Sequence, residues 1–124
     1  MKAEKKFSLR GRIKSFQHAF TGIWTLITTQ HNAWIHVVAM VVVVVCGVTA
    51  KLSAMEWGLI VFAIVGVLVA EAFNTALEFL ADAAHPNFHP LVKKAKDVAA
   101  GAVLIAAAGA AMIGAIVFGA HLCR

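Results

Sequence analysis

Charge is scarce in this chain, and acid is scarcer than base. Charged residues make up 14% of 124 residues, with 11 Lys and Arg against 6 Asp and Glu. Ordinary soluble domains carry about 25%. Cysteine occurs twice, as Cys46 and Cys123, which gives no disulfide framework and no metal-ligand spacing. Proline also occurs twice, as Pro86 and Pro90, and both mark one short connection. The first thirty residues do not read as a signal peptide, because Gln17, His18, Thr21, Thr25, Thr28 and Thr29 interrupt the apolar core it would need. No internal repeat or low-complexity linker divides the chain. What remains is 61% hydrophobic with a mean hydropathy of +0.85. A soluble core cannot use so many long uncharged runs. The class is a small all-α membrane protein, a single membrane domain over residues 1–124.

Three runs are long enough to cross a bilayer, which needs about 20 apolar residues. The first covers residues 33–50, through the valine block Val41–Val45. The second covers residues 54–81 and opens on Ser53-Ala54-Met55-Glu56, a capping box with Ser53 at N-cap and Glu56 at N3. The third covers residues 98–120 and carries no Asp, Glu, Lys or Arg. Before them, Leu9, Ile13, Phe16, Phe20, Ile23 and Ile27 recur at three- and four-residue steps, while Arg10, Lys14, Gln17 and Thr21 face elsewhere. That pattern predicts an amphipathic helix over about residues 8–28, lying along the membrane interface.

Basic residues set the topology. Lys2, Lys5, Lys6, Arg10, Arg12 and Lys14 crowd the N-terminus, and Lys93, Lys94 and Lys96 crowd the second connection. The positive-inside rule places both in the cytoplasm and the C-terminal Arg124 outside. Beside membrane spans such a cluster marks the cytoplasmic face and anionic lipid, not nucleic acid.

The most informative feature lies inside the second span. Glu71, Asn74 and Glu78 interrupt its apolar run, and Asp82 follows. At 100° per residue, Glu78 and Asp82 fall within about 20° of Glu71, and Asn74 about 60° to the side. A carboxylate at membrane depth costs several kcal/mol unless paired, ligated or hydrated. The stripe therefore points to a site for cations, phosphates or protons. Lys96 and Asp97 open the third span at the same level, and His18, Gln30, His31, Asn32 and His36 lie near the cytoplasmic face. Glu71 and Glu78 stand about 10 Å apart along the axis, which suits chemistry between a soluble reagent and a lipid head group. Other features carry plainer readings. His85 and His89 read as loop residues, His121 as an interface residue, and Ala106, Ala110 and Gly114 as a packing track. Taken alone, Lys96-Asp97 reads as an interface anchor and helix cap.

The string Glu71-Ala72-Phe73-Asn74-Thr75-Ala76-Leu77-Glu78, followed by Asp82, resembles the E-x-x-N-[ST]-x-x-E-x-x-x-D signature of bacterial integral-membrane diacylglycerol kinases. Lys96-Asp97-Val98-Ala99-Ala100-Gly101-Ala102-Val103 resembles their second signature. Asn32, His36 and the A-A-G-A-V ending look closer to the undecaprenol-kinase branch. The resemblance implies an ATP-dependent lipid kinase that uses Mg²⁺, assembled as a homotrimeric bundle in the bacterial inner or plasma membrane. It places the general base on Glu71 and metal binding on Glu78 and Gln30. It places ATP contacts on Gly11, His18, Gln30, Asn74, Glu78, Asn87, Phe88, His89, Lys96 and Asp97. It places lipid contacts on Ser15, Phe16, Trp24, Glu71 and Ala100. No Walker A loop is present, as expected where side chains and a metal hold the phosphates. Gln30 departs from the family, which carries an acid there, and Trp34 stands where related chains often have a basic residue. The residues alone leave two other readings, a small oligomeric ion or proton transporter and a non-catalytic membrane scaffold.

Overall fold

The computed structural model describes residues 6–123 as four α-helices; Lys2, Lys5 and Arg124 lie outside the described residues. Helix α1 spans Leu9–Thr29, α2 His31–Ala50, α3 Ala54–Ala84 and α4 Pro90–Leu122. The last three are long and apolar enough to cross a membrane.

Ser8 caps α1, its hydroxyl accepting from the Gly11 N–H at 3.3 Å. No residue of α1 is buried, and Phe16, Phe20 and Trp24 stand exposed. Gln30 breaks the chain between α1 and α2 with extended φ and ψ of −113° and 117°. Before it, the hydroxyls of Thr21, Thr25, Thr28 and Thr29 bond back to carbonyls one turn earlier. Such back-bonding leaves the polar turns of α1 without exposed hydroxyl demands.

The turn from α2 to α3 is tight because its end is closed by a Schellman motif. Lys51 adopts the left-handed conformation, with φ 55°. The Leu52 N–H donates to the Gly47 carbonyl and the Lys51 N–H to the Val48 carbonyl, both at 3.3 Å. A Cβ at Gly47 would lie 2.7 Å from the Trp57 ring and 3.1 Å from Leu52, so glycine lets α2 approach that turn. The capping box at Ser53 forms as its sequence predicts, with the Ser53 N–H donating to Glu56 at 2.8 Å.

Helices α3 and α4 pack antiparallel as the principal pair, and α1 and α2 touch the rest lightly. The buried core, Leu52, Ile60 and Val117 with Trp57, Ile64 and Phe118 around them, sits at the Ser53 end of the bundle. There His121 of α4 meets Glu56 of α3 at 3.0 Å, so His121 is a partner of Glu56 as well as a helix-end residue. The opposite end of the hairpin holds the polar groups.

All three membrane helices run further than the span readings, α2 by two residues at its start. Helix α4 starts at Pro90, eight residues before the predicted 98, and α3 continues to Ala84 beyond the predicted 81. Pro90 occupies the first helical turn, where its missing N–H costs nothing, and His89 caps the end by accepting from the Leu91 N–H at 3.2 Å. The apolar limit of a span is not the limit of a helix.

Candidate active site

Glu71, Asn74 and Thr75 are the buried polar residues of the described chain, at 1%, 8% and 4% exposure. They share one turn of α3. Glu71 Oε2, Asn74 Oδ1 and Thr75 Oγ1 have no hydrogen-bond partner. Buried polar atoms are nearly always paired, and an unpaired one costs about 1–3 kcal/mol. Three within five residues mark this turn as a place for a ligand or another chain.

The stripe grades outward from there. Asn74 Nδ2 donates to Glu78 Oε1 at 3.4 Å, and Glu78 is half-buried. One turn further Asp82 is exposed, and it accepts from Lys96 Nζ of α4 at 2.9 Å. Lys93 donates to Asp97 at 2.6 Å along α4, both side chains open to solvent. His36 of α2 approaches Glu71 from the side, its Nε2 3.7 Å from Oε2.

The residues named from the sequence fall into separate places. Asn87, Phe88, His89, Lys96 and Asp97 line one cleft of about 380 Å³ together with Asp82 and His85. The His85 and His89 rings meet there at a tilt of 54°, their centroids 4.9 Å apart. His18 lines a second cleft of about 530 Å³ between α1 and α3, against Thr75, Ala76 and Phe79. Gly11 and Ser15 line a third, near Arg12. Phe16, Trp24 and Ala100 are exposed. Gln30 sits at the α1–α2 break, where its side chain donates to Thr29 at 3.5 Å. A single chain thus joins the acid stripe to the Lys96 cleft through Asp82, sets His18 beside Thr75 of the buried turn, and leaves Gly11 and Ser15 in a cleft of their own.

Among the described residues no group of three or more His, Cys, Asp or Glu side chains is placed to hold a metal. The donors that are present fit a different demand. Magnesium is commonly held by one or two carboxylates plus substrate phosphates and water. Glu78, beside the unpartnered Oδ1 of Asn74, is such a partial set.

Sequence reading missed His36 as a partner of Glu71. The signal was in α2, where Ala33, His36, Met40, Val43, Gly47 and Ala50 repeat at steps of three and four and form its less exposed face. His36 is the one ionisable residue in that seam. It also gave no separate role to Thr75, a residue that lines the cleft of His18.

A bundle of three long apolar helices, with an acid stripe that runs from the buried Glu71 to the exposed Asp82, defines a small polytopic membrane protein with a polar site on one helix. The family profile of prokaryotic diacylglycerol kinase matches residues 17–118. Similar proteins include an undecaprenol kinase of Bacillus subtilis, 42% identical over 105 residues that cover 85% of each chain. A diacylglycerol kinase of a Synechocystis species is 37% identical over 101 residues, covering 81% of this chain and 58% of its own. A diacylglycerol kinase of Helicobacter pylori is 31% identical over 107 residues, covering 80% and 83%. The chain belongs to the prokaryotic diacylglycerol kinase family and is a membrane lipid kinase.

Proposed function

We propose that this kinase transfers the γ-phosphate of ATP to the hydroxyl of undecaprenol. The observation that carries the chemistry is the buried Glu71 carboxylate, with Oε2 unpartnered, about one turn below Asn74 and two below Glu78. The lipid is taken from the relative with 42% identity across most of both chains, an undecaprenol kinase. The protein works as a homotrimer in the bacterial inner or plasma membrane, with its N-terminus and second connection in the cytoplasm. Helix α1 lies on the cytoplasmic interface as an amphipathic element.

Depth supports the assignment. With 1.5 Å per residue, Glu71 stands about 26 Å along α3 from Ala54, while the hydrocarbon core is about 30 Å thick. Glu71 therefore lies just inside the cytoplasmic boundary, where a lipid hydroxyl resides. Glu78 and Asp82 lie about 36 and 42 Å along, in the head-group zone that ATP can reach.

The reaction divides among these residues. Glu71 accepts the proton of the lipid hydroxyl as its oxygen bonds to the γ-phosphorus. The bond from that phosphorus to the β,γ-bridging oxygen breaks, and ADP leaves. Lys96 holds phosphate oxygens, which requires it to share or leave Asp82. Asn74 orients Glu78. Glu78 would hold Mg²⁺ with Gln30 and phosphate oxygens, and the ion when bound neutralises phosphate charge. Phosphoryl transfer needs little beyond such positioning and neutralisation. His89, Asn87 and Phe88 contact the nucleotide base end, and Asp97 the ribose. Gly11 and His18 of α1 complete the nucleotide site, and Ser15, Phe16, Trp24 and Ala100 contact lipid. The trimer supplies what one chain leaves apart: α1 of one copy reaches the stripe of another.

The test is labelled γ-phosphate transfer to undecaprenol and to diacylglycerol, side by side in the same mixed micelles. A higher kcat/KM for undecaprenol is expected. A higher value for diacylglycerol would reassign the lipid. Transfer to neither, by a folded trimer that binds ATP, would overturn the reading.

A further inference from the structure

Glu71 is enclosed at 1% exposure, yet its Oε2 accepts no hydrogen bond. The only basic side chain within ion-pair distance among the described residues is His36, with Nε2 3.7 Å from Oε2. That distance is too long for a hydrogen bond, which closes near 2.7–3.2 Å. Hydrogen bonds in catalytic sites are often long without substrate and tighten in the complex.

The placement of His36 is specified by its neighbours. Ala33, three residues earlier on the same face of α2, is 1% exposed, which lets the N-terminal end of α2 close on α3. The next residues of that face, Met40 and Val43, are apolar and less exposed than the rest of the helix. His36 is the only residue with a polar side chain lining the cleft of about 390 Å³ between α2, α3 and α4, whose other walls include Ala39, Leu68 and Ala110. An imidazole in an apolar seam has few partners, and here its Nε2 edge turns to the one carboxylate in reach. A poorly hydrated setting strengthens any hydrogen bond formed there.

We infer that His36 is a positioning residue for Glu71: its Nε2–H orients the carboxylate toward the lipid hydroxyl. This rests on the reading of Glu71 as general base. The imidazole acts as a neutral donor, and the proton from the lipid goes to Glu71, not to His36. Helix α2 thereby contributes to the reaction through α3.

Two substitutions separate this role from packing. Glutamine places an amide N–H donor near the position of His Nε2, while leucine fills similar space without a donor. His36→Leu is expected to lower kcat at least ~10-fold, part of the ~10²–10⁴ that general-base catalysis contributes. The KM for ATP should stay unchanged, since His36 lies away from the Lys96 cleft. His36→Gln should recover most of the lost kcat. Equal activity of His36→Leu and wild type would overturn the inference, and so would equal loss in both variants.

A third variant guards against a folding defect. In the Glu71→Gln background, His36→Leu should lower the residual kcat by less than twofold, because the group it positions is already disabled. The same fold-loss in both backgrounds would overturn the inference. Near-wild-type turnover of Glu71→Gln alone would instead overturn the base assignment, a result distinguishable from either.

Discussion

Lys96→Met separates a residue that grips phosphate from one that merely ties two helices together. In the structure Lys96 Nζ donates to Asp82 Oδ1 at 2.9 Å across the α3–α4 hairpin. The side chains are 36% and 67% exposed. A pair so open to solvent is worth about 0–1 kcal/mol. Removing the lysine leaves no buried charge behind, because Asp82 keeps its water. Methionine retains most of the stem that packs along α4. Unfolding in detergent should therefore shift by less than about 1 kcal/mol. Phosphate is another matter. A hydrogen bond from an ammonium to a charged acceptor contributes about 1.5–3 kcal/mol, which corresponds to a loss of roughly 10- to 150-fold in ATP affinity. The assay is labelled phosphate transfer at saturating lipid over a wide ATP titration, beside thermal unfolding of the same preparations. The expected result is a large rise in KM for ATP at nearly unchanged stability. A wild-type ATP titration would refute the phosphate role. A large loss of stability with intact KM would make Lys96 a structural tie.

Further outcomes follow from the same geometry. Gln30→Glu should lower the Mg²⁺ concentration for half-maximal activity and Glu78→Gln should raise it, because a hard cation favours carboxylate over amide oxygen; an unchanged Mg²⁺ titration for Gln30→Glu in a folded protein would remove Gln30 from the metal. Mixing Glu71→Gln chains with Lys96→Met chains, at an ATP concentration far below the raised KM of the latter, should restore activity if the two residues act from different subunits, and no rescue in demonstrated mixed trimers would place them in one. Gly47→Val should destabilise the protein by about 1–3 kcal/mol through overpacking, since its Cβ would lie 2.7 Å from the Trp57 ring; unchanged thermal unfolding would show that the ring yields freely.

Spacing and capping chemistry made much of the architecture legible. The Ser53–Glu56 capping box and the acid stripe are local, so a three- or four-residue repeat reports them directly. Helix limits were less accessible. Lys93, Lys94, Lys96 and Asp97 resemble a charged loop when a hydrocarbon span is sought, yet Pro90 after His89 is a good helix start. Charged residues limit a hydrocarbon span but do not oppose a helix, so the segment continues α4 from its His89 cap. Long-range pairs were out of reach for a simpler reason. Glu56 and His121 are 65 residues apart, and only the antiparallel packing of α3 and α4 joins them. His36 and Glu71 meet across two helices in the same way. The α1 residues Gly11 and His18 are placed by the resemblance alone, and one chain keeps them in clefts apart from Lys96.

The hairpin of α3 and α4 is fastened most firmly at its core end. Glu56 and His121 close that end over the apolar core, while Asp82 and Lys96 meet at the other as a solvent-exposed pair. Among the described residues α2 meets it at His36 and Glu71, and α1 touches it most lightly. Any breathing within one chain therefore falls mainly to α1, moving against the two-helix post. Glu71 and Lys96 of one chain are both carried by that post, so the packing of α3 on α4 sets the distance between them.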